Sequence, residues 1–184
     1  MKYKLIATDM DGTLLNSDNK ISDKTIDVLH KAIKEGIYVV LSTGRILRSA
    51  LYYARSIELG NPIVACNGAI VSCGDGNDIL YEKSMEIQTS KKLMELAEEN
   101  DIYYHFYDMN TFYTKKATKY ALKYYEAYGE GLKKQQIDLR ILEHPIELLN
   151  TEKPNIYKFI FIDEDRDKLL VFREKLKDIG DINI

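Results

Sequence analysis

Short apolar runs alternate with helical patterns through the first 83 residues. Lys4-Leu5-Ile6-Ala7-Thr8 predicts a buried strand. Beyond Ser22, a helix-capping residue, Ile26, Leu29 and Ile33 recur at helical spacing, and Gly36 closes the helix. Ile37-Tyr38-Val39-Val40-Leu41 predicts a second buried strand, residues 46–59 a second helix ended by Gly60-Asn61-Pro62, and Ile63-Val64-Ala65-Cys66 a third strand. Strand, helix, strand, helix, strand implies a parallel sheet with right-handed crossovers. From Asn67 the pattern changes. Ala69-Ile70-Val71 and Ile79-Leu80-Tyr81 flank Gly74-Asp75-Gly76-Asn77-Asp78, the pattern of a β-hairpin.

The second part is mixed. It predicts helices over 90–99, 117–128 and 167–179, and strands over 102–107, 112–114 and 157–162. The order α, β, β, α, β, α suits a small α+β domain better than more parallel sheet. A boundary at Lys83 therefore separates residues 1–83 from 84–184. Charge and tyrosine support it. Residues 1–83 carry 10 basic and 10 acidic side chains, so the excess of acids in a chain of net charge −3 lies after the boundary. Eight of the 14 tyrosines fall between Tyr103 and Tyr128.

Composition narrows the class. With 45% hydrophobic and 30% charged residues, the chain is neither disordered nor of low complexity. Its charge gives no reason to expect nucleic acid as a partner. The longest apolar runs are four or five residues, so no membrane span is expected, and the start of the chain lacks the apolar stretch of a signal peptide. Two cysteines, Cys66 and Cys73, are too few for a disulfide scaffold. A cytoplasmic protein is the expectation.

The polar residues fall in a telling place. Each of the three strands of the first part runs into them: Asp9-Met10-Asp11-Gly12-Thr13, then Ser42-Thr43-Gly44-Arg45, then Asn67-Gly68. Turn chemistry explains any one of these. Three together line one edge of an open parallel sheet, where ligands bind. Two carboxylates two residues apart supply a nucleophile and a proton carrier, or hard oxygen ligands for Mg²⁺. Gly12 lets the backbone turn tightly and bring N–H groups to an anion. Thr43 offers a hydroxyl, and Thr43-Gly44 stands at the opening of a helix whose N-terminus favours phosphate. Arg45 adds a permanent cation. Acid pair, metal and anion cradle point to phosphoryl transfer. An EF-hand starting at Asp9 fails, because Leu14 and Lys20 stand where Gly and Glu are needed. Neither a P-loop nor a dinucleotide fingerprint occurs.

These residues resemble a known family. Asp9-Met10-Asp11-Gly12-Thr13-Leu14 is similar to motif I of the haloacid dehalogenase superfamily in its phosphatase form. Ser42-Thr43-Gly44-Arg45 resembles motif II of the Cof-type subgroup, and Asn67-Gly68-Ala69 that subgroup's next signature. The resemblance implies an α/β fold: residues 1–83 as the N-terminal part of a Rossmann-like core, and residues 84–184 as an inserted α+β cap of the IIB type. It implies that Asp9 is a nucleophile forming an aspartyl-phosphate and that Asp11 is the general acid/base. Asp9 and Asp11, the latter through its backbone, would hold Mg²⁺. Thr43 would bind the transferring phosphoryl group. Met10, Gly12, Thr13, Gly44, Arg45, Asn67 and Gly68 would line the phosphate and substrate site. Substrates would be small phosphate monoesters, often sugar phosphates.

The family also carries a motif III lysine and a motif IV acidic cluster after its cap. Gly74-Asp75-Gly76-Asn77-Asp78 has one residue too few for that cluster and sits in a hairpin. Gly180-Asp181-Ile182-Asn183-Ile184 has no following helix. Both are expected to be unrelated turns, so the chain is expected to stop inside the cap, with the C-terminal part of the core missing. Self-association through the open side of the sheet is then expected. A phosphotransferase such as a phosphomutase stays open as an alternative, as does an inactive remnant that binds phosphate or a partner.

The remaining features favour structural roles. Tyr120, Tyr124 and Tyr128 form a helical stripe expected to be half-buried. His30, His105 and His144 show no ligand spacing. Cys66 is expected in the core, and Asp163-Glu164-Asp165-Arg166-Asp167 is expected to cap the last helix.

Overall fold

The computed structural model describes residues 3–115, 131, 133–180 and 182–184. The chain divides into two compact units, Met1–Lys83 and Ser84–Ile184. The predicted helix over 117–128 with its tyrosine stripe, and Asp181, lie outside the described residues.

The first unit is one five-stranded sheet in the order β1-β2-β3-β4-β5. Its strands are β1 (Leu5–Thr8), β2 (Tyr38–Ser42), β3 (Ile63–Ala65), β4 (Ile70–Ser72) and β5 (Ile79–Glu82). β1, β2 and β3 pair in parallel, and β4 and β5 return as an antiparallel hairpin. Helix α1 (Asp23–Lys34) starts where Ser22 accepts the backbone N–H of Thr25, and Gly36 takes a left-handed φ of 79° just beyond its end. Helix α2 (Leu47–Ser56) buries Leu47, Ala50, Leu51 and Ala54. α1 packs on β2 and α2 on β3. Alternation along β2 sends Val39 and Leu41 into the core, while Tyr38 stays 59% exposed.

Two expectations need correction. β1 is apolar but not buried: Leu5 is 55% and Ile6 39% exposed. The strand lies at the end of the sheet, and among the described residues no strand pairs with its outer side. Cys66 is buried, but it lies just past β3 with a left-handed φ of 50° rather than in the strand. The Gly74–Asp78 segment is a turn, as expected. Asp75 accepts the backbone N–H and the side-chain amide of Asn77, and Gly76 donates to the carbonyl of Cys73.

The second unit is a four-stranded sheet in the order β8-β7-β6-β9. Its described elements are α3 (Ile87–Glu99), β6 (Tyr103–Tyr107), β7 (Thr111–Lys115), β8 (Asp138–Leu142), α4 (Pro145–Thr151), β9 (Lys158–Ile162) and α5 (Arg166–Lys177). β6 pairs antiparallel with β7 and β9, and β7 pairs in parallel with β8. β8 and α4 were not expected from the sequence. The core gathers Leu93, Met94, Tyr104, Phe106, Tyr113, Leu149 and Phe172. Asp165 caps α5 by accepting from the N–H groups of Asp167 and Lys168. Both sheets with their helices make an α/β fold.

Candidate active site

The site is built where β1, β2 and β3 end. After β1 the chain enters a tight turn, closed by the Leu15 N–H donating to the Met10 carbonyl at 2.9 Å. Met10 is fully buried and Leu14 nearly so, which anchors the turn in the core. Asp9, Asp11, Gly12 and Thr13 therefore face outward and are exposed. Gly12 has φ 75°, a conformation that a side chain would strain. Met10 reaches a ligand only through its backbone.

Beyond β2, Thr43 is buried, with Gly44 and Arg45 half-buried. The Thr43 N–H donates to the Val64 carbonyl, so the ladder with β3 continues one residue past the strand. Thr43 Oγ1 accepts the Arg45 N–H at 3.1 Å. The helix that Thr43-Gly44 was expected to open starts only at Leu47. The backbone between is spent on β3 instead: Asn67 N–H donates to the Thr43 carbonyl, and Cys66 N–H to that of Arg45. Cys66, Asn67 and Gly68 all have positive φ, with Asn67 exposed at 57° and Gly68 at 92°. The ends of β2 and β3 are thus tied backbone to backbone.

The ends of β1 and β2 are tied by charge. Arg45 donates from Nε to Asp11 Oδ2 at 2.8 Å and from Nη2 to Asp11 Oδ1 at 2.6 Å. This fork-on-fork geometry is the strongest form of the pair. The carboxylate is 56% exposed and the guanidinium 22%. Hydrogen bonding to Asp11 raises the Arg45 pKa above its ordinary value against the opposing effect of burial, so the cation is fixed.

Two further residues hold Arg45. Its Nη1 donates to Ser49 Oγ at 3.2 Å, and the Tyr53 ring lies under the guanidinium at 5.1 Å. Both are buried on α2. The sequence signal was their spacing: 49 and 53 fall on one face of α2, and Arg45 stands four residues before Ser49.

A family model of haloacid dehalogenase-like hydrolases matches residues 6–184, nearly the whole chain. The chain belongs to this family. The chain is 33% identical over 183 residues to the putative phosphatase YxeH of Bacillus subtilis, covering 96% of this chain and 64% of that protein. It superposes on a haloacid dehalogenase-like hydrolase from B. subtilis with a TM-score of 0.82 at 23% identity, covering 98% of this chain and 68% of the other. It also superposes on the subclass IIB sugar phosphatase BT4131 with a TM-score of 0.71 at 15% identity, covering 95% and 64%. The chain thus spans about two thirds of the length of these haloacid dehalogenase-like relatives. No described helix is long and apolar enough to cross a membrane.

Proposed function

We propose that this chain carries the phosphoryl-transfer site of a phosphatase for small phosphate monoesters, with sugar phosphates as the substrate class. One observation carries the reading: the exposed Asp9–Asp11 turn sits at a strand end where Arg45 grips Asp11 and Thr43 directly follows the neighbouring strand. In this reading residues 1–83 are the N-terminal part of the core and residues 84–184 the cap. The protein acts in the cytoplasm.

Asp9 attacks phosphorus while the ester P–O bond breaks, and Asp11 gives its proton to the leaving alkoxide. Asp11 then takes a proton from water, which attacks the aspartyl-phosphate, breaks its bond to Asp9 and frees inorganic phosphate. As a carboxylate paired with Arg45, Asp11 is in the form that accepts a proton from water. In the first half, an incoming phosphoryl group takes one arm of Arg45, which frees one Asp11 oxygen to carry the proton while the other stays held by Arg45. Thr43, Gly12 and the Asn67-Gly68 turn cradle the phosphoryl oxygens, with Met10, Thr13 and Gly44 lining the approach.

Among the described residues no three His, Cys, Asp or Glu side chains come together as a metal site. The donors present still fit Mg²⁺, which takes one or two carboxylates and fills its shell with water. Arg45 occupies both Asp11 oxygens, so the Asp9 carboxylate and the Asp11 backbone carbonyl would hold the ion. Bound there, Mg²⁺ would neutralise charge on the phosphoryl oxygens.

The test is turnover of an aryl phosphate by the wild-type chain and by Asp9→Asn, with Mg²⁺ or a chelator. The substitution is expected to cost about 10³-fold or more, roughly 4 kcal/mol of transition-state stabilisation, with the fold intact. Residual activity within about tenfold of wild type would remove Asp9 from the chemistry. Phosphate appearing on an added alcohol instead of free in solution would mark a phosphotransferase.

A further inference from the structure

Arg45, Ser49 and Tyr53 stand at successive four-residue steps, and together they fix a flat cation in space. A guanidinium pairs through its edge and stacks through its face, and the two contacts together fix its plane. One edge of Arg45 is taken by Asp11, and the remaining nitrogen by Ser49. The face is taken by the Tyr53 ring. Tyr53 is itself fixed at both ends. It is buried in α2, and its hydroxyl donates to the Asn19 carbonyl at 3.1 Å.

Asn19 belongs to the segment that leaves the Asp9–Asp11 turn. Its φ is 55°, and the segment is closed on itself. Asn16 Oδ1 accepts the N–H groups of Asp18 and Lys20, and the Asn16 N–H donates to the Lys20 carbonyl. Tyr53 therefore touches the cation with its ring and the segment after the acid pair with its hydroxyl. One side chain on α2 thus contacts both Arg45 and the segment that follows the Asp11 turn.

We infer that Tyr53 is a positioning residue for Asp11, acting through the plane of the Arg45 guanidinium. The inference rests on Asp11 being the proton carrier of the proposed reaction. Without the ring, the guanidinium is free to tilt, and Asp11 loses the fork that fixes its oxygens. Proton delivery to the leaving group then suffers more than substrate binding. A core tyrosine with no such role would change stability and nothing else.

The experiment uses the ¹⁵N-labelled 184-residue chain. The Arg45 Nε–H signal is assigned by its loss in Arg45→Lys. Wild type and Tyr53→Phe, which keeps the ring, should show a shifted, slowly exchanging Nε–H bonded to a carboxylate. In Tyr53→Leu, and in the volume-keeping Tyr53→Met, that signal should move to the position of a free arginine. Its exchange should be about tenfold or more faster, with backbone amides still dispersed. An unmoved Arg45 signal in either folded variant overturns the inference, whatever the turnover. In assays, Tyr53→Leu should lose about tenfold in kcat on an alkyl phosphate and about twofold on an aryl phosphate, with KM little changed. Equal losses on both substrates would also overturn it. Absence of turnover in wild type would count against the phosphatase reading, and the spectra would still decide the role of Tyr53.

Discussion

In the first unit, Asp11 pairs with Arg45 at a strand end, its side chain more than half open to solvent. In the second, His105 sits in the middle of β6, a strand buried along all five residues, where burial pushes its pKa down to about 4. Its ring lies 4.7 Å from Phe112, and Nε2 is 3.0 Å from the Tyr107 hydroxyl. Tyr104 and Tyr113 follow His105: burial raises both, Tyr113 to about 12. Phe106 stacks on Tyr113 at 4.9 Å and on Phe159 at 5.3 Å. The first unit thus pairs Asp11 with the Arg45 cation at an open edge. The second buries His105, Tyr104 and Tyr113 among aromatic rings, where burial favours their neutral forms, and leaves charged pairs such as Arg140–Glu152 at exposed positions. The shifts of His105, Tyr104 and Tyr113 are therefore signs of packing.

Breaking the aromatic layer should show this most strongly. Phe106 is fully buried, and Phe106→Ala should cost about 3–5 kcal/mol in urea unfolding. Asp9→Asn, at an exposed strand end, should change stability by no more than about 0.5 kcal/mol in the same experiment. A comparable loss from both would erase the distinction between the units.

A pH series sharpens it. His105 is neutral in the folded chain down to about pH 4, whereas in the unfolded chain it takes a proton near its ordinary value of 6.5. Between these values the unfolded state binds more protons, so stability falls as pH drops. The full contribution is present above about pH 6.5, and at most about 3 kcal/mol is lost by pH 4. Urea unfolding at pH 7 and pH 5 should show a fall in wild type that is smaller in His105→Gln. An equal fall in both would place the sensitivity elsewhere.

A modest loss is expected at the helix caps, which serve neither chemistry nor the aromatic layer. Ser22→Ala should cost about 1 kcal/mol of stability with turnover unchanged.

Much of the first unit was legible because its strands are short apolar runs that stop abruptly at Asp9, Ser42 and Asn67. Each break marks a strand end, and strand ends in parallel sheets line sites. The exposure of β1 was not legible, since Leu5 and Ile6 carry the same apolar signal whether or not a strand pairs beyond them. β8 was hidden by Asp138 and Arg140. Arg140 is spoken for by tertiary partners: it sits 5.5 Å over the Tyr113 ring and forks onto Glu152. α4 spans only Pro145–Thr151, too short to show a helical period. The late start of α2 depends on backbone bonds from Cys66 and Asn67, which no local pattern announces. Tyr53 carried only its spacing from Arg45, and its ring contact is a product of the fold.

The central claim is that Asp9 and Asp11, two residues apart on one turn, do different work. The direct measurement follows a labelled phosphoryl group from an aryl phosphate with Mg²⁺, quenched in acid and mapped by peptide. Wild type should place the label on the peptide containing Asp9, and Asp9→Asn should place none. Asp11→Asn should accumulate more label than wild type, because an aryl leaving group needs little protonation while water attack loses its base. Label on another peptide, or undiminished in Asp9→Asn, would contradict the account.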